Sequence, residues 1–524
     1  MNARLRTKRL TALAAVTVVL TAAGLTMPAS AAPSSVIAND TVWTDTDGNP
    51  ILAQGGNVLK VGSTYYWVGS KLVHNQPKQV NLYSSTDLEH WQFVKAILSQ
   101  DGSSPDLAAG TWLGRPQLVY NPTTKRYVLV VEVNGAKGNN ILFASSTAID
   151  GNYTLVDNDP STDHDSTQVN GATVGDHSVF VDGDKAYLVY VGDKKDGTDP
   201  SQPDKIDRNR SMNVSPLDAD WTAVAKDANG KDEVTSIDVA PNLQSTGREA
   251  PAILKVGSTY YYFASGMSGW NASATSYRTS TDLKNWSAWN TVTTSPASGN
   301  SFGTQFEQII PVTGTQGTSY LYNGDRYSQF YDGSGTTVDG LGQNAWYRLT
   351  FDSGGVPTLH GDTDVHVDAA AGTLTGNPVA NAHFSQAGAN EQPPCWTVTG
   401  GTTDHKDRAY VQNATSDNRV MTLGSPAGPV TVGVHQTVSL AAGTYELSFR
   451  YKSKNKMNSA VFDVKDMGGS ALASVDLNTG EGTWVTKTVP FTMKTAGQLT
   501  VGAAADGAAN SWINLDDVAI WPAS

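Results

Sequence analysis

The chain has 524 residues, a formal net charge of −13 and one cysteine, Cys395. An acidic balance is a poor match to nucleic acid or anionic membrane surfaces and suits neutral partners such as glycans, and a lone cysteine excludes an intrachain disulfide. Thirteen Trp and twenty Tyr among 16% charged residues fit an exported all-β protein.

The first residues carry Arg4, Arg6, Lys8 and Arg9 with no acid, then an apolar run from Leu10 to Leu25, then Ala29-Ser30-Ala31. This order predicts a signal peptide over residues 1–31 and a secreted, extracellular mature protein. Subtracting those four positive charges takes the net charge from −13 to −17. No later run is long and apolar enough to span a bilayer. A monomer with neither nucleic-acid nor membrane partners is expected.

Val42–Asp47 leads into a first pair of strands, NVLKVGSTYYWVG, ending at Gly69. The octapeptide LKVGSTYY at Leu59–Tyr66 recurs 195 residues later at Leu254–Tyr261, and STDLxxW at Ser85–Trp91 recurs with the same offset at Ser280–Trp286. Looser relatives start at Leu118, Val179 and Ile309, each a strand, a polar turn and a Tyr-rich strand. The positions just ahead of the five repeats are Gly55, Gly114, Asp176, Glu249 and Gln305, spaced by 59, 62, 73 and 56 residues. Units of about 60 residues built from four short strands are the pattern of propeller blades. Five blades are predicted over residues 36–360, and helical periodicity is almost absent. Residues 361–378, rich in Gly, Asp, Thr and Ala, read as a linker. From 379 to 524, alternating strands such as GTYELSFRYKSK and WVTKTVPFTM fit two sheets of a jelly roll. The expected fold class is all-β: a five-bladed β-propeller followed by a β-sandwich.

Equivalent positions of successive blades converge on a propeller's axis, which places Asp176, Glu249 and Gln305 in one polar funnel. Glu249, in GREAPAILK, is an acid at the start of an apolar strand, where burial is costly without a partner or a task. Two carboxylates across a funnel are what glycoside hydrolysis needs: one, its pKa raised, protonates the leaving oxygen, while another group activates water or tunes the acid. Asp176 also reads as a turn cap. Trp112 and Trp270, in loops at the same end, either stack on sugar faces or pack between blades. Glu307 shares the face of Gln305 if the strand alternates regularly, and is either a supplementary carboxylate or a surface residue. Asp325 and Arg326, in NGDRY, read as an ion pair.

These residues resemble glycoside hydrolase family 43. REAPAILK, SGMSGWN, SFGTQ and YNGDRY are similar to the branch that contains exo-β-1,3-galactanases. The resemblance implies an inverting, exo-acting hydrolase with Glu249 as general acid, Asp176 as the residue that orients and tunes it, and Gln305 as the amide replacing a basic carboxylate. Substrate contacts are expected from Arg115, Trp112, Trp270, Asp325 and Glu307. Three positions depart from the pattern. The family's base Asp, in ADPSILRVGDTYY, is Gly55 here; the acid that the galactanase branch carries before Arg-Pro is Gly114, ahead of Arg115 and Pro116; and a His before the first Gly pair is Gln54. The expected substrate is a plant-type polysaccharide, β-1,3-galactan or arabinogalactan, cut without a cofactor. An α-L-arabinofuranosidase or β-xylosidase of the same family, or a non-catalytic glycan-binding propeller, are the alternatives.

The C-terminal part, from NAHFSQ to WINLDDVAIW, resembles jelly-roll carbohydrate-binding modules. Such modules often hold a structural calcium near the chain ends, making Asp517 or Asp516 a candidate ligand; an edge-strand Asp pair is the other reading. Cys395 beside Trp396 reads as a small buried residue. The sequence has no P-loop, G-x-S-x-G, H-E-x-x-H or zinc-type Cys pair.

Overall fold

The computed structural model describes residues 35–523 apart from 74–75, 136–137, 159, 162, 196–205, 240–246, 328–342, 386–391, 402–408, 416–417, 426–427, 456 and 479–481. The expected leader, 1–31, lies outside the described residues. The fold is all-β, and among the described residues helix is limited almost entirely to a short 3₁₀ turn at Pro105–Leu107.

Five sheets follow one another along the chain, each a meander of four consecutive antiparallel strands. The first runs Val58–Val61, Thr64–Lys71, Gln79–Ser85 and Gln92–Ser99, and the second Trp112–Asn121, Arg126–Gly135, Gly138–Ser146 and Thr154–Leu155. The third runs Val174–Asp182, Lys185–Lys195, Ile206–Pro216 and Thr235–Val239, and the fourth Arg248–Val256, Thr259–Gly266, Thr275–Ser280 and Asn290–Thr291. The fifth, Gln305–Gly314, Gly317–Asp325, Asn344–Phe351 and Pro357–His360, gains Thr293–Ser295 as a parallel edge.

The repeated words of the sequence are repeated pieces of local chemistry. Both copies of LKVGSTYY make the same hairpin, with Gly62 and Gly257 at φ 61° and 60° in two-residue turns, a backbone that suits glycine. In STDLxxW, Ser85 Oγ accepts from Leu88 N, Asp87 Oδ1 accepts from Glu89 N and His90 N, and Trp91 Nε1 donates to Leu88 O. Ser280, Asp282 and Trp286 repeat each of these bonds.

Apolar burial joins neighbouring sheets. Val68 and Leu82 of the first meet Leu118 and Leu129 of the second, and Val128 and Phe143 meet Val179 and Leu188 of the third. Val189 and Val191 meet Tyr262 and Ala264 of the fourth, and Phe263 meets Phe306 and Tyr322 of the fifth. A last core returns to the start: Trp67 and Tyr83 pack with Ile310, Leu321 and Trp346. The order of contacts is cyclic, and each such side chain contributes about 2–3 kcal/mol of burial.

The stretch expected as a linker is structured. Asp364–Asp368 and Thr373–Gly376 form a hairpin, to which the first described strand, Ser35–Ala38, adds. Its polar composition hides the alternation, since only Val365 and Val367 point fully inward with Asp364. Two five-stranded antiparallel sheets follow, both contributing to one core. Gly443–Lys454 shows their period of two, with Tyr445, Leu447, Phe449 and Tyr451 buried. Cys395, expected inside, is exposed at φ 70°. Trp396 takes the inward place instead and donates Nε1 to Asn381 O at 3.2 Å. Among the described residues no helix is long and apolar enough to cross a membrane.

Candidate active site

The candidate site forms where the first strands of the later meanders begin, at a recurring break in their ladders. Register shifts fall between Gly114 and Gln117, Val174 and His177, Glu249 and Ala252, and Phe306 and Gln308. Bulges of this kind re-aim side chains. Arg115 and Ala250, each ahead of a proline, adopt φ 46° and 53°, left-handed backbone that a non-glycine residue holds only when its surroundings impose it. The bulges also alter the expected register. Asp176 lies inside its bulge whereas Glu249 borders one, and Glu307 is the extra residue of its own, which breaks the alternation that placed it beside Gln305.

Glu249 is 8% exposed. Its Oε1 accepts from Gln305 Nε2 at 2.7 Å and from Ser268 N at 3.3 Å. Asp176 stands directly behind, its Oδ2 accepting from Ala250 N at 2.9 Å. Burial first, and then the charge of Asp176, push the Glu249 carboxyl up to about 8, so at neutral pH it is mostly protonated. With two N–H groups directed at Oε1, the proton belongs on Oε2.

A buried layer supports this surface. Arg115 Nη1 donates to Glu307 Oε1 at 2.8 Å, and Arg115 Nε lies 3.7 Å from Asp176 Oδ1. Glu307 is 0% exposed and also accepts from Tyr327 Oη at 3.0 Å. Burial holds its carboxyl well above the usual range, against the pull of Arg115. Asp325, also buried, accepts from Gly55 N at 2.7 Å and from Asn344, and burial pushes it up to about 6. Substrate contact was expected of both Glu307 and Asp325, yet neither reaches the surface. They hold Arg115, Tyr327 and Gly55 in place. Asp325 does not pair with Arg326, which bonds instead to Asp40 at 3.0 Å and to Asn39 O at 2.7 Å.

Both glycine departures have steric causes. Gly55 sits at φ 71°, and a Cβ there would lie 2.7 Å from Tyr327 Oη. A Cβ at Gly114 would lie 2.5 Å from the Trp112 indole. Trp112 is not in a loop as expected but opens the second meander. Its ring stands 5.5 Å from that of Trp270, which stands 5.1 Å from Tyr327, so three rings run in a row. Trp112, Trp270 and Asp176 line an open cavity of about 570 Å³ together with Lys78, Glu132 and Asn134. The last three were not foreseen. Only Glu132 left a trace, as a charge inside the apolar run VLVVEVNG.

Residues 48–265 match glycosyl hydrolases family 43. The chain is a glycoside hydrolase that resembles family 43 over those residues. The match holds Asp176 and Glu249 and stops within the fourth meander, so Gln305 lies beyond it. Among solved structures, the hydrolase is similar to an exo-β-1,3-galactanase from Phanerochaete chrysosporium, a Glu→Gln variant with β-1,3-galactotriose. That pair shares 22% identity and a TM-score of 0.55, over 93% of this chain and 100% of the other. It is also similar to an exo-β-1,3-galactanase from Clostridium thermocellum, with 26% identity and a TM-score of 0.53 over 76% and 81% of the two chains. Comparison with curated proteins gave no match.

The calcium expected at Asp517 does not fit the donors present in this hydrolase. Calcium takes six to eight oxygens, whereas Arg450 lies 2.6 Å from Asp516 Oδ2 and 2.6 Å from Asp517 Oδ2. His383 completes the group, with Nδ1 2.7 Å from Asp517 and Nε2 2.6 Å from Asp364. The carboxylates are neutralised by cations of the chain itself, and the cluster fastens the last strand to the hairpin at 364–376.

Proposed function

We propose that this hydrolase is a secreted, inverting exo-β-1,3-galactanase that removes galactose from β-1,3-galactan or arabinogalactan. The carrying observation is Glu249: a buried carboxylic acid, protonated at neutral pH, backed by Asp176 and set beside a cavity walled by two indoles. The names of the two similar structures, and the words SGMSGWN and SFGTQ, support the substrate.

In this reading Glu249 Oε2 gives its proton to the glycosidic oxygen as the bond to the anomeric carbon breaks. The charge of Asp176 keeps the proton on Glu249 until the leaving oxygen becomes basic enough to take it. Gln305 Nε2 is engaged by Glu249 and by Gly269 O at 3.3 Å. Its Oε1 is the atom that remains to accept from the attacking water and orient it, and the proton that this water sheds on bonding to the anomeric carbon passes to solvent through the open cavity. An inverting pair stands about 6.5–9.5 Å apart, so Gln305 has to part from Glu249 when the sugar enters. Proton delivery and water orientation fall to side chains, with no cofactor.

The five meanders are read as the blades of a five-bladed propeller over 36–360, a reading supported by the cyclic order of their cores. The two later sheets are read as a glycan-binding β-sandwich over 379–524, supported by their shared core. The charged, apolar and Ala-Ser-Ala order of residues 1–31 supports secretion.

The test is product analysis after incubating the mature protein, and its Glu249→Gln variant, with β-1,3-galactan, arabinan and xylan. Galactose released only by the wild type is expected. Arabinose or xylose instead would move the substrate to the other activities of the family. No sugar from any polymer, with binding retained, would leave a glycan-binding propeller.

A further inference from the structure

The mechanism above gives no part to one carboxylate in the cavity. Glu132 lies in Arg126–Gly135, directly across the ladder from Gly114. Its neighbours Val131 and Val133 are fully buried, and a carboxylate set among valines is costly without partners or a task. It is 5% exposed and lines the cavity with Asp176, Trp112 and Trp270. Trp112 Nε1 donates to its Oε2 at 3.3 Å. The same indole fills the space that a side chain at Gly114 would need. The missing side chain, the ring over it and the acid across the ladder are thus parts of one arrangement.

Resting on the glycosidase reading, we propose that Glu132 is the sugar-binding carboxylate of this cavity. It accepts hydrogen bonds from hydroxyls of the terminal sugar, from the strand beside the position that is closed to an acid at Gly114. Two carboxylate oxygens match a pair of vicinal hydroxyls, while Trp112 and Trp270 offer apolar walls to the ring. Trp112 then has two duties, wall and orienting donor.

Steady-state kinetics on β-1,3-galactotriose with wild type, Glu132→Gln and Glu132→Ala test this, with melting temperatures measured alongside. The amide keeps the volume of the acid but loses one acceptor. KM and the inhibition constant of galactose should therefore both rise about tenfold in Glu132→Gln, with kcat changed less than about threefold. Glu132→Ala should show a larger rise in both. A Glu132→Gln variant with both constants within about twofold of wild type overturns the inference, even if Glu132→Ala melts early, since that pattern marks a merely structural acid. Should the wild type release arabinose or xylose, the galactanase reading falls and the same variants are compared on that substrate. Should it cleave nothing, galactose, arabinose and xylose are titrated calorimetrically into wild type and Glu132→Gln. Binding weakened in the variant upholds the sugar-binding role, and equal or absent binding ends it.

Discussion

Replacing Glu249 by Gln should abolish turnover and at the same time stabilise the protein, by an amount that grows with pH. The carboxyl is pushed from an ordinary 4.5 to about 8, which corresponds to about 5 kcal/mol of disfavoured ionisation in the folded state. An acid raised in this way contributes stability that is fully present below 4.5 and lost as pH rises through about 8, because the unfolded chain gives up the proton first. By pH 7 roughly 3 kcal/mol of that loss has been incurred. A glutamine has no proton to lose and escapes it. With an unfolding entropy of about 2 cal/mol/K per residue over roughly 300 residues, 3 kcal/mol is a melting shift of about 5 °C. Wild type and variant should melt together near pH 4.5 and diverge steadily toward pH 8, measured by scanning calorimetry in matched buffers. A difference that stays flat across that window would refute the reasoning, since Glu249 would then ionise as an ordinary surface acid.

Two further changes probe the same site. Asp176→Asn removes a charge that raises Glu249, so the alkaline limb of the kcat/KM profile should move to lower pH than in the wild type; an unmoved limb would separate the two residues. Gly55→Asp should not restore the family's usual base. The new Cβ collides with Tyr327 Oη at φ 71°, so stability should fall by about 1–3 kcal/mol and kcat/KM should fall with it, whereas a gain in activity would show that the position is open.

The turn words of the first and fourth meanders were legible because their hydrogen bonds lie within a few residues of one another: Ser85, Asp87 and Trp91 predict the same turn as Ser280, Asp282 and Trp286. Asp176, Glu249 and Gln305 were grouped because each stands seven to ten residues ahead of the first hairpin turn of its meander. Glu307 and Asp325 were misread for different reasons. Alternation along a strand assumes an unbroken ladder, and the bulge after Phe306 breaks it, sending Glu307 inward to Arg115; Asp325, read as the partner of its neighbour Arg326, instead accepts from Gly55 N across the joint between meanders. Glu132 escaped notice because it lies on a second strand, whose position relative to Gly114 is a matter of cross-strand register. The strands at 364–376 were hidden by their polar composition, and the burial of Asp364 makes sense only once His383 stands against it.

The joint between the first and fifth meanders is made without a shared ladder. Gln308, Asn323, Asp325 and Asn344 bond across it to the backbone at 53–58, and Trp43, Trp67, Trp91 and Trp346 pack against one another along it. Such a joint is rich in apolar area, so it weakens on cooling as well as on heating. It is also bound to the chemistry, because Asp325 and Tyr327, which reach Gly55 across it, belong to the layer under Arg115. Loosening this joint therefore withdraws support from the acid without breaking any ladder within a meander.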